Sequence, residues 1–170
     1  MPNLSAFGLT VTTPAGWDGE IYLPQQGLGP TGEIAGEIAG PLRSADAPSA
    51  PDAVPILHVA NFPLPPQRGD YGGGAVDLMG PDDLFVSLLE HPADEAATAL
   101  FAHSGLVWPL TVDDFSPQAM QRRLPGQAGC QRFFTHLDRA FCLYAVIGSY
   151  QNRRALVPKI NTVLAGVSFG

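Results

Sequence analysis

The sequence predicts an α+β fold, a sandwich in which a mainly antiparallel central β-sheet is flanked by helices. Three observations carry this expectation. Residues 83–91, DLFVSLLEH, are near-continuously apolar, the pattern of a strand buried on both faces. Residues 129–148 split into two apolar runs around His136-Leu137-Asp138-Arg139, which reads as a β-hairpin. Leu156, Ile160, Val163, Leu164 and Val167 then share one helical stripe, which must pack on a sheet. A length of 170 residues suits one domain spanning 1–170, long enough to bury a core without staples.

The elements follow in order. LTVTTPAGWDGEIYLP, residues 9–24, reads as two short strands joined by a Pro-Ala-Gly turn. Residues 25–54 hold no sustained period and are rich in Gly, Pro, Ala and Ser, so they are expected to form a long loop or insertion. The tandem EIAG at 33–40 is too short for a solenoid repeat. ILHVANFPL, residues 56–64, is a strand ended by prolines. Residues 68–83, RGDYGGGAVDLMGPDD, read as a flexible connection leading into the buried strand. Pro92, Asp94, Glu95 and a run of alanines predict a helix that stops at Gly105, with His103 in its last turn facing the dipole. A second, shorter helix is expected with Ser116 as N-cap and Pro117 at N1, placing Met120 and Leu124 on one face. In the hairpin, a two-residue Leu137-Asp138 loop sets Phe134 opposite Phe141 and Phe133 opposite Cys142. Cys130 and Cys142 are therefore not cross-strand partners. In the last helix Pro158 belongs in the first turn or kinks the axis, and Gly166 lies near the end.

Composition narrows the function. The formal net charge is −7, against nonspecific binding to nucleic acid or an anionic membrane, which needs clustered cations. The nine cations are eight arginines and Lys159, and Arg122-Arg123 and Arg153-Arg154 are the adjacent basic pairs. This bias, with abundant Ala, Gly and Pro, is typical of a high-GC bacterial genome. No segment approaches the roughly 20 apolar residues of a membrane span. The first residues carry no basic, then apolar, leader pattern. Two cysteines inside apolar runs read as buried free thiols. A reduced, cytoplasmic protein is expected.

Residues 68–83 raise the sharpest chemical question. A phosphate-binding loop of the G-x-x-x-x-G-K-[ST] type needs a lysine, and none precedes Lys159. A dinucleotide fingerprint fails because the sixth residue from Gly72 is Asp77. Arg68-Gly69-Asp70 acts as an adhesion ligand only outside the cell. Asp70, Asp77, Asp82, Asp83 and the pair Asp113-Asp114 lack calcium-loop spacing. His58, His91, His103 and His136 show no zinc-site spacing. Ser104, in AHSGL, lacks the first glycine of a nucleophile elbow. Cys130 with His58 or His136 is the one nucleophile–base pairing to entertain, against the blander reading of a packed thiol. No catalytic, metal or cofactor-binding residue is assigned, and no cofactor is expected.

The order of elements, with Pro14-Ala15-Gly16-Trp17, the run Arg139-Ala140-Phe141-Cys142-Leu143-Tyr144, and Ile160 to Phe169, resembles the PsbP-like superfamily. That superfamily holds small α/β/α sandwiches, among them a lumenal photosystem protein, a Ran-binding import factor and mycobacterial lipoproteins of the LpqN type. The resemblance covers most of the chain except residues 25–54 and carries no catalytic signature. It implies a binding or accessory protein more often than an enzyme. The expectation is thus a non-catalytic adaptor, chaperone-like or structural component of a bacterial cytoplasmic assembly, with Tyr71, Trp108 and Phe115 as partner-binding residues. A protein partner is expected, self-association stays open, and nucleic acid and membrane spans are not expected. The alternative is a small ligand-binding protein or Cys/His hydrolase with a pocket near Cys130 and His58.

Overall fold

A computed structural model describes residues 2–24, 54–106 and 108–170. The 25–54 insertion and its EIAG pair fall almost wholly outside these residues. The fold is mixed α+β and dominated by two antiparallel sheets. Strands β1 (Asn3–Ala6), β2 (Leu9–Thr12) and β8 (Val167–Phe169) form the smaller sheet in the order β1-β2-β8. The larger one orders β3 (Asp18–Tyr22), β4 (Ile56–Ala60), β5 (Leu84–His91), β7 (Arg139–Ile147) and β6 (Ala128–His136) as β3-β4-β5-β7-β6.

The strands at the centre behave as their sequences require. β5 and β7 are flanked on both sides and buried on both faces, and both are almost wholly apolar. The β6–β7 register is the expected one, with Phe134 opposite Phe141, Phe133 opposite Cys142, and Cys130 opposite Ala145. Leu137 and Asp138 turn the chain with φ of 52° and 61°, the two left-handed residues of a type I′ turn. The outer edge of β6 is closed at both ends. Ser116 exchanges two backbone bonds with Gly129, and Thr135 bonds the backbone of His103 and Gly105.

Several expected elements take another form. Pro14–Gly16 joins β2 to β3, but the two strands enter different sheets instead of pairing. The helix expected over 92–105 is two 3-10 turns, Ala93–Ala97 and Ala99–Phe101, separated by Thr98 at ψ 160°. Of its residues only Phe101 is buried, so a full helix would have had no apolar stripe to pack. His103 consequently caps no helix; its carbonyl accepts from Thr135. Ser116 does cap a turn with Pro117 at N1, but that turn is only Pro117–Ala119. The glycine stretch contains one helical turn, α1 (Gly73–Val76). The C-terminal helix α2 (Arg153–Ala165) buries Leu156, Val157, Ile160, Val163 and Leu164, whereas Val167 leaves the stripe to open β8.

Alternation along each strand sorts the core into two faces. On one face Val59, Val86, Ala145 and Cys130 lie in register and pack with α2 and with Leu9 and Val11 of the small sheet. On the other, Phe85, Tyr144 and Val146 are covered by Ala75 and Val76 of α1, Met120 and neighbouring loop residues. Among the described residues, then, a long helix covers one face and irregular chain covers the other. No helix among them is long and apolar enough to cross a membrane.

Candidate functional site

The loop-covered face carries two fully buried polar side chains in an apolar sheet. His58 of β4 and Ser87 of β5 are register partners, both 0% exposed. Each must find a partner there, because an unsatisfied buried polar group costs about 1–3 kcal/mol. Both find the same one: His58 Nε2 lies 2.8 Å and Ser87 Oγ 2.9 Å from the Asp70 carbonyl oxygen. Arg68 Nε donates to His58 Nδ1 at 2.8 Å, so Nδ1 accepts and Nε2 carries the proton. Arg68 also donates to the Pro65 carbonyl and pairs with Glu20, its guanidinium 5.7 Å from the Tyr22 ring centre. Residues 65–70 are thereby latched onto the sheet.

This latch explains the electrostatics. Burial, aided by the Arg68 charge and opposed by the Asp70 carbonyl, pushes the His58 pKa down to about 4. Burial, then the Asp70 carboxylate, pushes Tyr22 up to about 12, although its hydroxyl makes no well-formed hydrogen bond. A neutral imidazole with both nitrogens engaged is a poor base and a poor ligand. Arg68, with a side chain only 6% exposed, is not presented as an adhesion tripeptide requires. Gly72 and Gly74 serve packing. Gly72 has φ 72°, and a Cβ there would sit 2.1 Å from the Phe85 ring; one on Gly74 would sit 2.3 Å from the Gln67 carbonyl oxygen.

Cys130 lies on the opposite face of the sheet from His58 and three strand spacings away, about 14 Å. Burial, offset in part by Arg132 and reinforced by Asp114, raises its pKa to about 11. Cys142 is raised by burial against hydrogen bonds from Gln131 and Tyr71. Both thiols are free and fully buried. The geometry assembles no Cys–His dyad from Cys130 and His58.

The aspartates do not converge, and no group of three or more His, Cys, Asp or Glu among the described residues is placed to hold a metal. Asp77 pairs with Arg122, and Asp83 Oδ2 accepts from Gly80 N. Burial would raise the Asp114 carboxyl, but Thr111 and Arg132 hold it below the ordinary carboxylate range.

The three expected partner-binding residues have different fates. Phe115 is 2% exposed in the main core, because Ser116 docks its segment on β6, and it is not available to a partner. Tyr71 is half-buried, edge-on to Tyr144 at 5.5 Å, and burial pushes its pKa up to about 12. Trp108 is 51% exposed and yet fixed. Its Nε1 donates to the Asn161 carbonyl at 3.0 Å, while the Asn161 side chain takes both the N–H and the C=O of Leu110 at 2.8 Å. No protein-family model, curated protein or solved structure matches this chain.

One feature of the surface escaped the reading of the sequence. A groove of about 700 Å³ runs between Pro81, Pro117, Leu124–Gln127 and Gly148–Gln151. Its walls come from separate loops, so no local pattern announces it. The signal that was present is the basic pairs, since Arg123 lines the groove and Arg153 stacks on Tyr150.

Proposed function

We propose that this protein is a non-catalytic, protein-binding accessory component of a bacterial cytoplasmic assembly, and that Trp108 belongs to its contact surface. The observation that carries the reading is an indole half-exposed but held by α2. A large apolar side chain fixed before contact loses little conformational freedom when a partner covers it, and such residues dominate interface energetics. Among the described residues the chemistry-bearing groups instead spend their polar atoms inside the fold, as His58, Ser87 and Arg68 do. Free buried thiols and the arginine-over-lysine bias support the compartment and source. The PsbP-like relationship and its α/β/α sandwich belong to the same proposal. An antiparallel sheet with α2 on one face supports them, and the turn-covered second face is where this chain departs.

The test is affinity purification of the tagged full chain and of Trp108→Ala from the native host, with mass spectrometry of co-eluting proteins. The wild type is expected to retain a partner that the variant loses while it stays folded, with a melting temperature only a few degrees lower from the lost Asn161 hydrogen bond. Recovery of a lone monomer, or equal recovery with both chains, would overturn the reading.

A further inference from the structure

We propose that the groove at the N-terminal end of α2 binds an extended acidic segment of a partner protein, with Arg123 pairing a carboxylate. This rests on the protein-binding reading above and adds a second surface with a stated chemistry. The groove is apolar where it is rigid. Pro81 reaches it from the β4–β5 connection and Pro117 and Pro125 from the β5–β6 connection, and Tyr150 lies among them. Proline offers no N–H, so these walls can receive apolar side chains but cannot pair a backbone ladder from those positions. Arg123 is the one charged residue of the lining.

Charge selects the occupant. The chain has a formal net charge of −7, and Arg68, Arg122, Arg132 and Arg139 each have an acidic partner. Among the described residues Arg123, Arg153, Arg154 and Lys159 have none; of these Arg123 lines the groove and Arg153 packs on its Tyr150. The Arg153 guanidinium lies 4.2 Å from the Tyr150 ring centre and donates to the Tyr150 carbonyl. Arg153 and Arg154 open α2, whose first turn contains no acidic residue. Cations there oppose the helix dipole, so the helix gains nothing from them. Asp82 and Asp83 follow Pro81 but do not line the groove, and Asp83 is committed to Gly80 N. A guanidinium without a carboxylate partner, beside an aromatic and proline floor, matches a peptide that alternates carboxylates with an apolar anchor.

The test uses the isotope-labelled full chain and three probes: acetyl-Glu-Glu-Phe-Glu-Glu-amide, acetyl-Lys-Lys-Phe-Lys-Lys-amide and a ten-residue oligothymidine. The acidic peptide is expected to shift the amide signals of Arg123, Gly126 and 149–151. The basic peptide should leave them in place, and Arg123→Glu should weaken binding about tenfold or more with the rest of the spectrum unchanged. Lack of response to the acidic peptide, equal response to the basic one, or an equal shift by the oligonucleotide would overturn the proposal. The purification above separates the two readings. A partner retained by Arg123→Glu but lost by Trp108→Ala sinks the groove alone. A lone wild-type monomer that still binds the acidic peptide sinks the accessory-protein reading and leaves the acidic-peptide specificity of the groove standing.

Discussion

Replacing His58 by glutamine should make the stability of this protein respond differently to acid, by an amount the latch fixes. In the fold His58 titrates near pH 4, against 6.5 for the unperturbed side chain. Between those values the unfolded chain binds a proton that the folded chain refuses, so wild-type stability is lost as pH falls from about 6.5 to 4. Near pH 7 the neutral ring costs nothing. At pH 4.5 the penalty from this group is about 2.5 kcal/mol, at 1.36 kcal/mol for each pH unit of difference. His58→Gln abolishes that titration while leaving Arg68 Nε or the Asp70 carbonyl short of a partner, a loss of about 1–3 kcal/mol at pH 7. The variant is therefore expected to be less stable at pH 7, and the gap should shrink by about 2.5 kcal/mol at pH 4.5. Asp114, held low by Thr111 and Arg132, also loses stability in acid, which is why the difference between the two chains is the informative quantity. Urea unfolding at both pH values reads it as a relative midpoint shift of about 1 M, for a slope near 2 kcal/mol/M. A gap independent of pH would refute the reasoning, as would an NMR midpoint for the His58 ring near 6.5.

Gly72→Ala combines a left-handed φ with collision against the Phe85 ring, and is expected to lose about 3 kcal/mol in urea unfolding. Gly73→Ala, with nothing near its Cβ, should fall within about 0.5 kcal/mol of the wild type; equal effects at the two positions would mean the stretch is a loose loop. Leu137→Asn relieves an exposed leucine at φ 52° in a type I′ turn, and calorimetry should show a melting temperature about 2 °C higher. An unchanged or lower value would count against that turn. Cys130 and Cys142 should resist a thiol reagent at pH 8 until urea is added, whereas rapid native labelling of either would contradict their burial.

What was legible in the sequence was local or strongly patterned. The β6–β7 register followed from two apolar runs and a two-residue turn, and the buried stripe of α2 from its spacing. The 92–105 helix was misread because Pro92, Asp94, Glu95 and the alanines satisfy helix-start chemistry without any stripe to bury, and tertiary packing supplies most helix stability. β1 and β8 are too short to carry a period. The His58–Ser87 latch was hidden for another reason: its acceptor is a backbone carbonyl, which no side-chain pattern marks. Gly72 and Gly74 looked like freedom and are contact sites, while Gly73 between them faces open space, a distinction visible only once Phe85 and Gln67 are beside them.

The pairing of β2 with β8 has a consequence for how the chain reaches this state. Leu9 and Val11 meet Phe169 and Val167, so their ladder closes only after nearly everything between has been synthesised. Until then β1 and β2 are a two-stranded ribbon, marginal on its own, with side chains destined for the interior still facing water. Contacts this distant in sequence slow folding, and exposed apolar surface during that wait invites association between nascent chains. β1 and β2, made before the other strands described, are thus among the last to be completed.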